Sequence, residues 1–195
     1  AQVYDIGHDE QGLPYIVCEF IEGVTLDERL SGDPLSSQET ARLVSQIADA
    51  LQYAHDKGVV HRDIKPSNIV IGHSGKPCLI DFGLAHCDEG DIHETLRGQF
   101  FGTLAYMSPE QARMDHELGI GTDIYSLGVV LYELLTNELP FRGKRRMLLH
   151  QVQYDEPQSP RRLNDHIPRD VETICLKCLE KEPRNRYPSA QTLRE

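Results

Sequence analysis

Residues 61–83 constrain the fold more than any other stretch. They open as His61-Arg62-Asp63-Ile64-Lys65-Pro66-Ser67-Asn68 and continue into an apolar run, Ile69-Val70-Ile71. A polar turn follows, Gly72-His73-Ser74-Gly75-Lys76-Pro77, and then a second run, Cys78-Leu79-Ile80, closed by Asp81-Phe82-Gly83. Two short apolar runs around a turn rich in Gly, Ser and Pro predict a hairpin-sized unit of loop, strand, turn and strand. Each strand is flanked by acidic or amide groups. Those are the oxygen donors that a hard cation and a general base require.

The rest of the chain has room for one sizeable core, with 195 residues. An apolar content of 39% with 26% charged residues describes a globular chain rather than a disordered one. The net charge of -11 argues against general nucleic-acid binding. The opening residues Ala1-Gln2-Val3-Tyr4-Asp5 show no basic and apolar leader pattern. The longest apolar run, residues 124–135, is broken by Ser126, Gly128 and Glu133. It falls short of the about 20 residues that a membrane span needs. Five cysteines, Cys18, Cys78, Cys87, Cys175 and Cys178, fit a reducing, cytoplasmic compartment. Cys175 and Cys178 form a C-x-x-C with no second pair, inside the helical pattern Val171, Ile174, Cys175, Cys178, Leu179. That pattern reads as buried core rather than a redox or zinc site. The chain lacks an initiator methionine and stops in mid-pattern, which reads as a piece of a longer protein.

The remaining elements follow from local signals. Residues 3–6 and 15–21 predict two strands around the turn 7–12. Thr25 with Glu28, and Ser36 with Glu39, each form a capping-box pattern. The second opens a long helix with Leu43, Val44, Ile47, Ala48, Leu51 and Ala54 at helical spacing, stopped by Gly58. Residues 84–107 are polar and irregular, and a loop of this length reads as either functional or disordered. Ser108 as cap and Pro109 at the first helical position predict a short helix. Residues 123–139, apolar on nearly all sides, predict a buried central helix terminated by Pro140 and Phe141. Asp123 near its start is placed to accept backbone N–H groups. Arg142, Lys144, Arg145 and Arg146 form a basic cluster that reads as a solvated helix start, with a docking surface as the alternative. A further helix spans 169–180, and a last one begins near Ser189.

Taken together, these motifs resemble a protein kinase. The pattern H-R-D-x-x-x-x-N is met by residues 61–68, and D-F-G follows intact at residues 81–83. The resemblance implies an α+β, protein-kinase-like fold, mostly the helical C-terminal lobe with a few short N-terminal strands. Residues 1–22 would be the last strands of the N-terminal lobe and the hinge, and residues 23–195 the C-terminal lobe. It implies ATP and Mg²⁺ as cofactors, and protein serine or threonine hydroxyls as substrate, since Lys65 two residues after Asp63 resembles serine/threonine kinases. Phrases such as Tyr106-Met107-Ser108-Pro109-Glu110-Gln111 resemble bacterial members of the eukaryotic-like group.

By that resemblance Asp63 orients the attacking hydroxyl, Lys65 sets a positive charge near the γ-phosphate, and Asn68 and Asp81 bind Mg²⁺. Thr103 would hydrogen-bond Asp63 and Lys65. Cys18, Glu19 and Ile21 would line the adenine site, with Leu26 and Val70 sandwiching the ring. Arg62 would pair with a phosphate on the segment between residues 84 and 103, with Thr95 the leading acceptor. Glu110 would pair with Arg186, and Asp123 would support the loop. Leu104 departs from the proline usual after Gly-Thr, which shifts substrate recognition. The glycine-rich loop, the strand lysine and its glutamate partner are absent and would precede residue 1, so the 195 residues alone are expected to be inactive. A non-catalytic kinase-like scaffold and a small-molecule kinase remain as alternatives. Intact Asp63, Lys65, Asn68 and Asp81 weigh against the first, and the Gly-Thr…Ser-Pro-Glu segment against the second.

Overall fold

The computed structural model describes residues 3–9, 11–82 and 104–195. Strands β1 (Val3–His8) and β2 (Pro14–Cys18) pair antiparallel, with Val3 opposite Cys18 and Ile6 opposite Ile16. Asp9 ties their turn, its Oδ1 accepting the N–H groups of Gln11 and Leu13 at 2.8 Å each. Strand β2 stops at Cys18, short of the predicted 15–21. Val3, Tyr4, Ile6, Tyr15 and Val17 are all exposed, and Phe20 just past the hairpin is 86% exposed.

A second sheet is built from β3 (Gly23–Thr25), β4 (Ile69–Gly72) and β5 (Pro77–Leu79) in that spatial order, all antiparallel. The predicted hairpin is therefore β4–β5, with Ile69 opposite Leu79 and Ile71 opposite Pro77. Strand β3 feeds directly into α1 (Leu26–Leu30) through the Thr25 capping box: Glu28 N–H donates to Thr25 Oγ1 at 3.2 Å and Thr25 N–H to Glu28 Oε2 at 2.8 Å. Ser36 and Glu39 repeat the device for α2 (Ser37–Asp56). Helix α2 buries Val44, Ile47, Ala48, Leu51 and Ala54 on one face, as its spacing requires. Gly58, at φ +74°, lets the chain turn away after it.

After α3 (Pro109–Ala112) comes α4 (Gly121–Thr136), buried on nearly all sides, with α2 and α6 (Arg169–Cys178) packed against it. Helix α4 ends three residues before the sequence pattern suggests. Asn137 takes the left-handed conformation at φ 56° and its N–H returns to the Glu133 carbonyl at 2.7 Å, so the stop is an αL cap rather than Pro140. Helices α4 and α6 approach closely at Gly128, where an added Cβ would lie 2.4 Å from Cys178 Cβ. Cys175 and Cys178 are fully buried there, and burial pushes both thiols up, Cys178 to about 12. The C-x-x-C is core. Helices α5 (Arg145–Tyr154) and α7 (Ala190–Arg194) complete the layer, α5 against α3 and α7 against α2. Among the described residues no helix is long and apolar enough to cross a membrane.

Candidate active site

The loop 61–68 runs from the end of α2 to β4, under tension at one residue. Arg62 has φ 66°, a left-handed conformation that a long side chain rarely adopts and that persists only where its surroundings over-determine it. Asp123, fully buried in the first turn of α4, supplies much of that constraint. Its Oδ2 accepts the His61 N–H at 2.8 Å and its Oδ1 the Arg62 N–H at 2.7 Å. His55, in the last turn of α2, meets the same Oδ2 through Nε2 at 2.8 Å. His55 was not singled out from the sequence, yet it extends the apolar face of α2 four residues beyond Leu51, an available signal.

His61 links the loop to the strand before Asp81. Its Nε2 donates to the Ile80 carbonyl at 2.9 Å, its Nδ1 accepts the Asp63 N–H at 3.3 Å, and its ring packs on Phe82 at 4.5 Å. Burial holds its pKa below the ordinary value, against the pull of Asp123. A neutral ring is what this geometry needs, because Nδ1 must accept.

At the centre, Asp63 Oδ2 accepts two bonds, from Lys65 Nζ at 2.7 Å and from Asn68 Nδ2 at 2.9 Å. Asn68 Nδ2 also donates to the Asp63 carbonyl at 2.8 Å. With Oδ2 held twice, the carboxylate is fixed in orientation, and Oδ1 carries no hydrogen bond among the described residues. The Asp63 side chain is 29% exposed. Asn68 spends its nitrogen on Asp63, which leaves its Oδ1 outside those bonds. The Ile80 N–H donates to the Asn68 carbonyl at 3.0 Å, so the backbone brings Asp81, exposed and at φ 56°, beside the same loop. Amide and carboxylate oxygens are the donors that Mg²⁺ prefers, and it commonly takes only one or two carboxylates from a protein and the rest from phosphates and water.

The other sequence-derived residues divide. Cys18, the last residue of β2, is exposed; Glu19, exposed, and Ile21, half-buried, lie on the stretch that joins β2 to β3. Val70 lies opposite Thr25 on that sheet and is 8% exposed. Leu26 corrects the expectation: at 0% exposure it belongs wholly to the core and has no surface to offer a ring. A capping box places the start of a helix but not the side its first residue faces. Arg62 Nε is buried with no partner among the described residues. Thr95, Thr103 and Gly83 lie outside the described residues.

Glu110 and Arg186 meet as a buried pair, Nη1 to Oε1 at 2.7 Å and Nη2 to Oε2 at 2.8 Å. Arg186 gives its other donors to the carbonyls of Glu180, Gly121 and Lys181 at 2.7, 2.8 and 2.9 Å. Its guanidinium also lies 4.9 Å from the centre of the Tyr125 ring. Burial alone would raise the Glu110 carboxyl, but Arg186, with Thr122, holds it below the usual range.

Asp63 is thus fixed by a lysine and an amide, with Asp81 brought beside the same loop. The protein kinase domain family matches residues 1–195, and the chain belongs to that family. It is 38% identical over 197 residues to serine/threonine-protein kinase PknB of Mycobacterium leprae (strain TN), covering 98% of this chain and 32% of that protein. It is 40% identical over 199 residues to serine/threonine-protein kinase PrkC of Bacillus subtilis (strain 168), covering 99% of this chain and 30% of that protein. The chain thus spans about a third of the length of the curated relatives it matches.

Proposed function

We propose that the protein transfers the γ-phosphoryl group of ATP to serine or threonine hydroxyls of proteins, with Asp63 as the base. The observation that carries this is the double hold on Asp63 Oδ2, which leaves the other oxygen outside those bonds to serve as an acceptor. In this reading Asp63 Oδ1 accepts the substrate hydroxyl's hydrogen bond and aligns its oxygen for in-line attack. Lys65 keeps a positive charge beside the transferred group, and Thr103 ties the substrate segment to both. Asn68 Oδ1 and the Asp81 carboxylate would hold Mg²⁺, which when bound neutralises charge developing on the phosphates. Cys18, Glu19 and Ile21 would border the adenine and Val70 would underlie it. Residues 1–22 serve as strands and hinge of one lobe and residues 23–195 as the other. The compartment is the cytoplasm, where ATP is at hand and free cysteines stay reduced.

Regulation is placed at Arg62, whose buried Nε would meet a phosphate on Thr95. Phosphopeptide mapping that finds modification only outside residues 84–103 would sink that part. The transfer itself is tested with protein expressed from the complete gene, Mg²⁺ and γ-labelled ATP. Label is expected on protein serine and threonine, falling about 10²–10⁴-fold in Asp63→Asn. A folded protein that binds partners but transfers no label would leave a scaffold instead.

A further inference from the structure

The peptide unit that joins Arg62 to Asp63 is held at both its polar groups. Its N–H donates to His61 Nδ1 at 3.3 Å. Its carbonyl accepts from Gln111 Nε2 at 2.7 Å, the shorter of the two bonds. This unit sits at the φ 66° residue and carries the proposed base, so its tilt decides where the Asp63 carboxylate points. Asp123 restrains the preceding N–H, and His61 comes from the loop itself. Gln111 alone reaches in from α3.

The amide of Gln111 is used at both ends. Oε1 accepts the Ser108 N–H at 3.0 Å, closing the capping box of α3, while its backbone N–H goes to Ser108 Oγ at 3.3 Å. A capping box is served equally by glutamate or glutamine at that position. The cap therefore needs only the oxygen, and the amide nitrogen is surplus to it. That nitrogen goes to the Arg62 carbonyl, which a glutamate could not satisfy. Helix α3 is itself anchored, by Glu110 on Arg186 and by Gln153 Nε2 on the Ala112 carbonyl at 3.1 Å. Gln111 thus joins a fixed turn to the strained loop.

We propose that Gln111 is a positioning residue for the phosphoryl transfer. It sets the plane of the Arg62–Asp63 peptide, and it makes that setting depend on α3 being docked. Displacement of the Ser108–Gln111 turn withdraws the donor and lets the strained peptide relax. The proposal rests on the reading of Asp63 as the base, and one arm of its test does not.

Gln111→Glu is the discriminating variant, since it keeps the cap oxygen and replaces the donor with an acceptor that the Arg62 carbonyl repels. Amide exchange at Asp63, read on the chain itself, is expected to speed up by more than any loss of thermal stability accounts for. In protein expressed from the complete gene, kcat is expected to fall about tenfold or more with KM for ATP unchanged. Wild-type exchange at Asp63 overturns the proposal whatever kcat does. So does an unchanged kcat, or a loss of kcat that tracks a loss of thermal stability. If the wild-type protein transfers no phosphate, the functional reading fails while the exchange arm still decides the role of Gln111. Should Gln111→Glu not fold, Gln111→Met, which keeps the stem without the amide, is read by the same exchange.

Discussion

Asp123 and Glu110 are both buried carboxylates near the foot of α4, but they are satisfied by different partners. Asp123 is met by two backbone N–H groups and a histidine, all from residues 55–62. Glu110 is met by a guanidinium from a residue far along the chain, and by the Thr122 hydroxyl at 2.9 Å. The first arrangement fixes the shape of one short loop. The second ties α3, the start of α4 and the residues after α6 into one corner. A carboxylate satisfied by backbone N–H groups therefore dictates local geometry, whereas one satisfied by a distant cation dictates which segments stay together. Their mutants should separate along that line, with stability lost mainly at the pair and function lost mainly at the loop.

The largest effect on stability is expected at the pair. Arg186→Ala leaves Glu110 buried and unpaired, which costs about 3–5 kcal/mol; urea unfolding of the chain measures it. Arg186→Lys should recover little of this. A lysine has three rotatable donors where Arg186 places five in a fixed fork on two carboxylate oxygens and three carbonyls. Asp123→Asn comes next. It keeps the volume but turns one acceptor into a donor facing N–H groups, so roughly 1–3 kcal/mol is expected. The comparison predicts that its activity falls further than its stability, with Arg62 leaving the left-handed region. Equal stability losses in Arg186→Ala and Asp123→Asn would break the distinction.

The half of each contrast visible in the sequence is the half with a short-range pattern. The loop, turn and strands of residues 61–83 could be read from spacing, because a hairpin is local chemistry. So could the Ser108 cap and the buried face of α2. The Glu110–Arg186 pair was legible only through the family resemblance, since its partners lie far apart in the chain. Gln111 and Lys181 escaped notice for the same reason: each acts through a side chain that crosses to another element, and no spacing rule marks it. The errors at Leu26 and at the end of α4 have another cause. Local signals place the start of a helix but not its orientation to the core, and Asn137 ends α4 through a backbone conformation open to several residue types.

Smaller effects appear with pH at the pair and at the loop. Arg186 holds the folded Glu110 pKa below its ordinary 4.5. Its contribution is therefore complete above that value and is lost as pH falls through the folded pKa. Acid unfolding of the wild-type chain should show this limb, and Arg186→Met should lack it. His61 adds an acid sensitivity of a different kind. Protonation turns Nδ1 from acceptor to donor and releases the Asp63 N–H, so amide protection there, corrected for the intrinsic pH dependence of exchange, should fall on acidification.

The contrast extends to cations, where the expected effect is smallest. Arg186 faces a carboxylate, but among the described residues Lys181 beside it is hydrogen-bonded to neutral groups: its Nζ donates to the Gln151 and Val152 carbonyls at 3.2 and 2.9 Å, at the end of α5, and lies 4.3 Å from the centre of the Phe141 ring. Burial pushes its pKa down from 10.5 to about 8, more than Glu156 and Asp155 can offset. Between those two values the unfolded chain binds the proton more tightly than the folded one, so folding stability rises with pH across that window. Lys181→Met has no such proton to lose. The difference in urea midpoint between wild type and Lys181→Met, measured at pH 7.5 and again near pH 10, should therefore shift in favour of wild type. A difference that stays flat would mean that the two carbonyls and the ring satisfy the ammonium as well as a carboxylate does, and the contrast between charge-paired and carbonyl-paired groups would fail on the cation side.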